Sequence, residues 1–243
     1  HELTSFDSFL SVTRISNCMY DLTLPLDEGT IRPAQRVGFE AIQTASGELK
    51  NFASDVRAFS TYVHTGTHID APIHYSPGGK TIDQLDVSIF CGPARVFDMR
   101  AHASKLITAD ILDECNPGIS PGDRVVLLTG DIDKQLESGD YPDGVYVESS
   151  SLSPDGATWL VEKQVSLVVV DFVTESVDAS KYHVKDPSRP VHVTLLDAEI
   201  PIVENICNIG TIVDHDTIEI FCLPLLIPRY EAAPARVVAR LPN

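Results

Sequence analysis

The sequence predicts a mixed α/β domain dominated by sheet. Two apolar runs carry that prediction, RVVLLTG at 124–130 and VSLVVVDF at 165–172. Runs with so little polar alternation suit strands buried on both faces. Between them SPDGATWLVEK, 153–163, reads as a helix, so strand, helix and strand succeed one another as in an α/β layer. No Pro/Ser-rich linker interrupts the 243 residues, and the whole chain, 1–243, is read as a single domain.

The remaining elements follow in order. TSFDSFLSVT, 4–13, sets Phe6, Phe9 and Leu10 at helical spacing and predicts a short helix. MYDLTLPL, 19–26, alternates apolar and polar residues and predicts a strand ended by Pro25. Residues 28–57 are mixed and polar around a turn-like SGELKN, and read as strand–turn–strand or a long loop. AFSTYVHTG, 58–66, is rich in β-formers. ARVFDM, 94–99, predicts a strand, and ITADILDE, 107–114, a short helix with Thr108 as N-cap. PIVENI, 201–206, is a short segment of open type. IEIFCLPLLI, 218–227, and ARVVARL, 235–241, predict closing strands.

Composition narrows the function classes. The formal net charge is −17, from 35 acidic and 18 basic residues. Such a surface repels phosphate backbones and anionic lipid, so nucleic-acid and membrane partners are not expected. No apolar run reaches the ~18 residues of a membrane span. The opening HELTSFDSFL shows no basic stretch followed by an apolar one, though a chain that starts on His1 leaves a preceding leader open. The five cysteines are scattered without a CxxC pair, which predicts a reduced, cytoplasmic protein without a thiolate metal site.

One stretch concentrates the chemistry. HTGTHIDAPIH, 64–74, holds three of the eight histidines and an aspartate. His64, His68, Asp70 and His74 share one parity and would face one side of an extended segment. Gly66, Pro72 and the β-branched Thr65 and Thr67 disfavour a helix here, so a strand end running into a loop is predicted. His64, His68 and Asp70 then offer two nitrogens and one oxygen to a divalent metal, a set usual for zinc that also fits manganese or iron, with zinc or manganese expected. Three protein ligands leave a position open for water, the arrangement of catalytic sites. The bland alternative is a hydrogen-bonded loop or a surface cluster. Elsewhere, His102 and His215 lie in polar stretches and are expected at the surface, and His183 lies in a loop. Spacing alone does not connect His192 and Glu204 to the cluster.

HTGTHIDAPIH resembles the HxGTHxDAPxH signature of the cyclase family of metal-dependent hydrolases, to which bacterial kynurenine formamidases and isatin hydrolases belong. The similarity extends along the chain, through YDLTLPL, GGKTIDQLDVSIFCGPARVFDM, GDRVVLLTG, VVVDFVTESVD, HVTLLDAEIPIVENI and EAAPARVVA. The resemblance implies a swivelling β/β/α domain with a mixed sheet, assembled as a homodimer or homotetramer. It implies His64, His68 and Asp70 as ligands of a first metal, and His192 and Glu204 as further ligands. It further implies that Asp70 would bridge to a second ion where one is bound, so one or two ions per chain are expected. His74 is implied as the catalytic acid or base rather than a ligand. The expected reaction is hydrolysis of a C–N amide bond in a small molecule, an aryl formamide or cyclic amide. The alternatives are lactone chemistry at a C–O bond and metal or ligand binding without turnover. One departure stands out. The formamidases carry a PxWPGD-like stretch where this chain reads LDEGTIRPAQRVGF, and the single Trp159 lies far off in a predicted helix. Phe39, Phe59 and Tyr62 are the available substitutes, with a core position the simpler reading of each.

Overall fold

A computed structural model of the chain describes residues 14–16, 19–26, 40–42, 48–49, 52–53, 58–138, 149–175 and 189–242. The helix expected over 4–13, Cys18, Phe39 and His183 lie outside these residues. The strands are β1 (Arg14–Ser16), β2 (Met19–Asp21), β3 (Glu40–Ile42), β4 (Glu48–Leu49), β5 (Phe52–Ala53), β6 (Ala58–Ser60), β7 (His68–Asp70), β8 (Cys91–Asp98), β9 (Leu106–Ile107), β10 (Arg124–Leu128), β11 (Ser151–Leu152), β12 (Leu167–Val170), β13 (Ile202–Glu204), β14 (Thr217–Pro224) and β15 (Ala232–Arg240). The helices are α1 (Ala109–Glu114), α2 (Asp131–Ser138), α3 (Pro154–Glu162) and α4 (Pro190–Asp197).

The main sheet runs β1-β2-β15-β14-β8-β10-β12-β13-β7, and β15 also pairs with β7. That extra pairing closes the order on itself, so β15, β14, β8, β10, β12, β13 and β7 form a ring. The ring mixes directions. β8, β10, β12 and β13 are mutually parallel, while β14, β15 and β7 join antiparallel. Mixed sheet with few helices is the predicted class.

Burial explains why the predicting runs lack alternation. Val126 and Leu128 of β10 join Val96, Val169, Val203, Ile220 and Val237 in one apolar cluster inside the ring. Val125 and Leu127 point the other way, packing with Val168, Trp159, Leu160 and Leu195 beneath the helices. Both faces of the parallel strands are therefore dry, and an apolar side chain at each position is stabilised.

The helices start where local chemistry allows. Ser153 Oγ accepts from Gly156 N at 3.1 Å and Pro154 fills the first turn of α3. Thr108 Oγ1 accepts from Ile111 N at 3.4 Å to cap α1. Two helices escape sequence reading. The helix α2 is mostly polar, and α4 contains Val191, Val193 and Thr194, β-branched residues of modest helix propensity. Packing of Val191, Leu195 and Leu196 into the outer core overrides that preference.

Candidate metal centre

The site lies where the ring closes. β7 pairs with β13 so that His68 faces Glu204, and with β15 so that Asp70 faces Ala232. Because side chains alternate along a strand, this register delivers His68, Asp70 and Glu204 to one side. The stretch 64–74 is not a single extended segment. Residues 63–67 form a turn, with Gly66 at a φ of 63°, and lead into β7. A 3-10 turn opened by Pro72 follows and carries His74. The predicted order of strand and then loop is thus corrected to turn, strand and 3-10 turn. Thr67 pins the entry, its Oγ1 donating to Asn205 O at 2.6 Å and accepting from Leu24 N at 2.7 Å.

The six residues named from the sequence come together. His64 Nδ1 stands 2.8 Å from Asp70 Oδ1, and His68 Nε2 stands 3.5 Å from the same oxygen. His192 Nε2 approaches the other oxygen, Asp70 Oδ2, at 3.6 Å. Glu204 completes the group, with Oε2 3.6 Å from His68 Nε2 and Oε1 3.6 Å from His192 Nε2. The His74 ring centroid is 4.3 Å from that of His64 and 6.0 Å from that of His192. Two sets of potential ligand atoms, His64/Asp70/His74 and His68/Asp70/Glu204, each lie within 4.8 Å of one another and share Asp70.

The donor set fits a divalent metal. His64 Nε2, His68 Nε2 and Asp70 Oδ1 are buried with no hydrogen-bond partner among the described residues. Orphaned buried polar atoms cost about 1–3 kcal/mol each, so the adjacent pair His68 Nε2 and Asp70 Oδ1, 3.5 Å apart, calls for an occupant. Asp70 Oδ1 lies close to His64 Nδ1 yet accepts no aligned hydrogen bond, which suits two atoms side by side around a common centre. The 3.5–3.6 Å separations are too long for hydrogen bonds. They match the ~3.4 Å between ligands that ~2.1 Å arms of a tetrahedral ion would set. The second ring nitrogens of His68 and His192 are accounted for, His68 Nδ1 lying 2.8 Å from Gly66 O and His192 Nδ1 2.8 Å from Glu175 Oε2. Both rings thus aim Nε2 at the carboxylates.

Electrostatics agree with a site built for positive charge. Burial disfavours charge on Asp70, yet His64, His68 and His74 together outweigh it and hold the carboxyl well below its usual range. Burial likewise opposes charge on His192, but Glu175, Glu204 and Asp70 together lift it to about 10. A proton on His192 and a cation compete for the same nitrogen. His74 behaves oppositely. Burial brings it down to about 4, with His64 and His192 acting in the same direction against Asp70 and Glu204. His74 is therefore a neutral imidazole near pH 7.

Other residues singled out from the sequence fall elsewhere. His102 and His215 are half-buried rather than surface-exposed, and His102 Nε2 lies 3.5 Å from Glu114 Oε1. Trp159 belongs to α3, where its Nε1 donates to Asp113 Oδ1 at 2.8 Å. Phe59 is 54% exposed, against the core position expected of it. Tyr62 is half-buried and its ring lies 5.1 Å from His64, at the site rather than in the core. Four residues of the site were not named from the sequence. Glu175 holds His192, Thr174 N donates to Glu204 Oε1 at 2.7 Å, Glu231 Oε1 lies 3.6 Å from His64 Nε2, and the Tyr75 ring lies 4.3 Å from that of His74 and 5.2 Å from that of His192. Each is brought in by the fold; only Tyr75 adjoins the histidine motif in sequence.

A ring of mixed strands with a His/Asp/Glu cluster at its seam defines the class. The chain belongs to the cyclase family, whose model, described as putative cyclase, matches residues 20–179. Among curated relatives, the kynurenine formamidase of Bacillus mycoides (strain KBAB4) is 33% identical over 178 residues, covering 73% of this chain and 76% of its own. The kynurenine formamidase of Salinibacter ruber is 34% identical over 180 residues, with the same coverage. Among solved structures, a potential metal-dependent hydrolase with cyclase activity superposes with a TM-score of 0.72 at 26% identity, covering 93% of this chain and 98% of that one. Isatin hydrolase A from Ralstonia solanacearum gives 0.76 at 22% identity over 99% and 98%, a likeness of fold.

Proposed function

We propose that this chain is a metal-dependent hydrolase that cleaves a C–N amide bond of an aryl formamide or cyclic amide. The observation that carries the reading is the convergence of His64 Nδ1 and the orphaned His68 Nε2 on the equally orphaned Asp70 Oδ1, beside a neutral, half-buried His74. His64, His68 and Asp70, with His192 and Glu204, would hold one or two ions of zinc or manganese. When bound, such an ion supplies Lewis-acid polarisation of a carbonyl and acidifies water. The chain's own groups do the rest. Asp70, with one oxygen towards His64 and His68 and the other towards His192, fixes the two halves of the site relative to each other. His74 Nε2 or Nδ1, neutral at rest, can accept a proton from the attacking water and return it to the leaving nitrogen. Tyr62 and Tyr75 flank the histidines and offer flat surfaces to an aryl ring, in the role the missing tryptophan leaves open.

Hydrolysis of N-formylkynurenine and of isatin, followed by absorbance on protein loaded with Zn²⁺ or Mn²⁺, tests the reading. A kcat/KM above about 10⁴ M⁻¹s⁻¹ for either substrate supports it, being ordinary enzyme performance. Turnover of lactones alone would move the reaction to a C–O bond. Metal binding with no turnover of any amide or lactone would leave a binding protein. Assembly as a homodimer or homotetramer belongs to the same proposal. Leu223, Leu225, Leu226 and Tyr230, all exposed, supply apolar surface for it. Light scattering on the Leu226→Asp variant should then report a smaller species than the unaltered chain.

A further inference from the structure

Glu175 is a nearly buried carboxylate, its side chain 10% exposed, just beyond β12. Its Oε2 lies 2.8 Å from His192 Nδ1 and accepts from His192 N at 3.4 Å, while Oε1 accepts from Val191 N at 3.3 Å. It therefore caps the start of α4 from outside, where Arg189, the residue that opens the helix, makes no side-chain cap bond. The neighbouring Thr174 amide donates to Glu204 Oε1 at 2.7 Å. Two consecutive residues thus reach His192 and Glu204, which come from different elements, α4 and β13. A carboxylate at Nδ1 holds a proton there, so the nitrogen that yields its proton to a cation is Nε2, the atom 3.6 Å from both Asp70 Oδ2 and Glu204 Oε1.

We propose that Glu175 is a positioning residue of the metal centre: it fixes the ring and tautomer of His192 so that Nε2 ligates. With the Thr174 amide on Glu204, it sets the His192/Glu204 half of the site before any ion arrives. The inference rests on the metal-centre reading and adds to it a residue that touches neither ion nor substrate. Carboxylates placed behind ligating histidines typically contribute 10–100-fold to metal affinity.

The test is metal affinity, measured by chelator competition with Zn²⁺ alone and Mn²⁺ alone on the full chain, with a thermal melt of the metal-free protein alongside. Glu175→Ala should weaken binding 10–100-fold. Glu175→Gln keeps an acceptor for Nδ1 but not the charge, and should fall between Ala and the unaltered chain. In a His192→Ala background, Glu175→Ala should weaken binding no further, because its effect runs through that ring. Binding by Glu175→Ala within twofold of the unaltered chain, with only the melt lowered, would make Glu175 a helix cap and overturn the inference. So would an equal further loss in the His192→Ala background. If Glu175→Ala does not fold, Glu175→Gln decides, and unchanged affinity there overturns the inference. An unaltered chain that binds neither ion would instead overturn the metal-centre reading, and the inference with it.

Discussion

At the scale of single residues, the site is a matter of which ring nitrogen faces which oxygen. His68 and His192 each have Nδ1 engaged, by Gly66 O and by Glu175, and each turns Nε2 inward. His64→Ala and Asp70→Asn should therefore lose bound metal and turnover together, read by metal analysis and rate on the same samples. His74→Ala should separate the two. Metal content should stay within error of the unaltered chain while kcat falls about 10²–10⁴-fold, the usual worth of general acid–base help. A kcat near that of the unaltered chain would remove His74 from the chemistry. The cluster was legible because its four polar members lie within eleven residues. Glu175 was not, since a lone Glu in VTESVD is indistinguishable from a solvated acid until the fold places His192 beside it.

At the scale of elements, the 3-10 turn that carries His74 is held from behind. A Cβ on Gly79 would meet Ile73 N and Pro72 C at 2.9 Å, both backbone atoms that can yield only by moving the turn. Gly79→Ala should lower kcat while leaving metal affinity unchanged, because His64, His68 and Asp70 lie outside that turn. Equal loss of metal and rate would mean that the whole stretch moves as one. On the helical side, Ser153→Ala removes the N-cap of α3 and should cost about 1 kcal/mol in denaturant unfolding. Strands β8, β10, β12, β14 and β15 and helices α1 and α3 were readable from apolar runs and capping residues. Helix α4 was not. Its β-branched residues favour strand locally, and burial beside Leu160 and Trp159, with Pro190 in the first turn and Glu175 at its start, makes it a helix. The ligand it presents, His192, was accordingly the one that spacing could not connect.

At the scale of the molecule, closure of the ring makes the site. β15 spans from β14 to β7 and β2, and the seam aligns His68 with Glu204 and Asp70 with Ala232. No local pattern announces that a sheet will close, so the predicted mixed α/β class gave the layers but not the ring. The same geometry couples binding to stability. An ion held at the seam would tie β7 to β13 and α4, and at 100 times its Kd it should add about 2.7 kcal/mol. For a chain of this size that corresponds to a rise of about 5–11 °C in Tm, lost again on adding a chelator. If the buried cluster on Asp70 is a catalytic metal centre, titration of metal-stripped protein with Zn²⁺ or Mn²⁺ while N-formylkynurenine hydrolysis is followed should show no turnover without metal. The rate should then rise to saturation at one or two ions per chain. Turnover unaffected by stripping, or a chain that takes up no ion, would contradict the metal-centre reading.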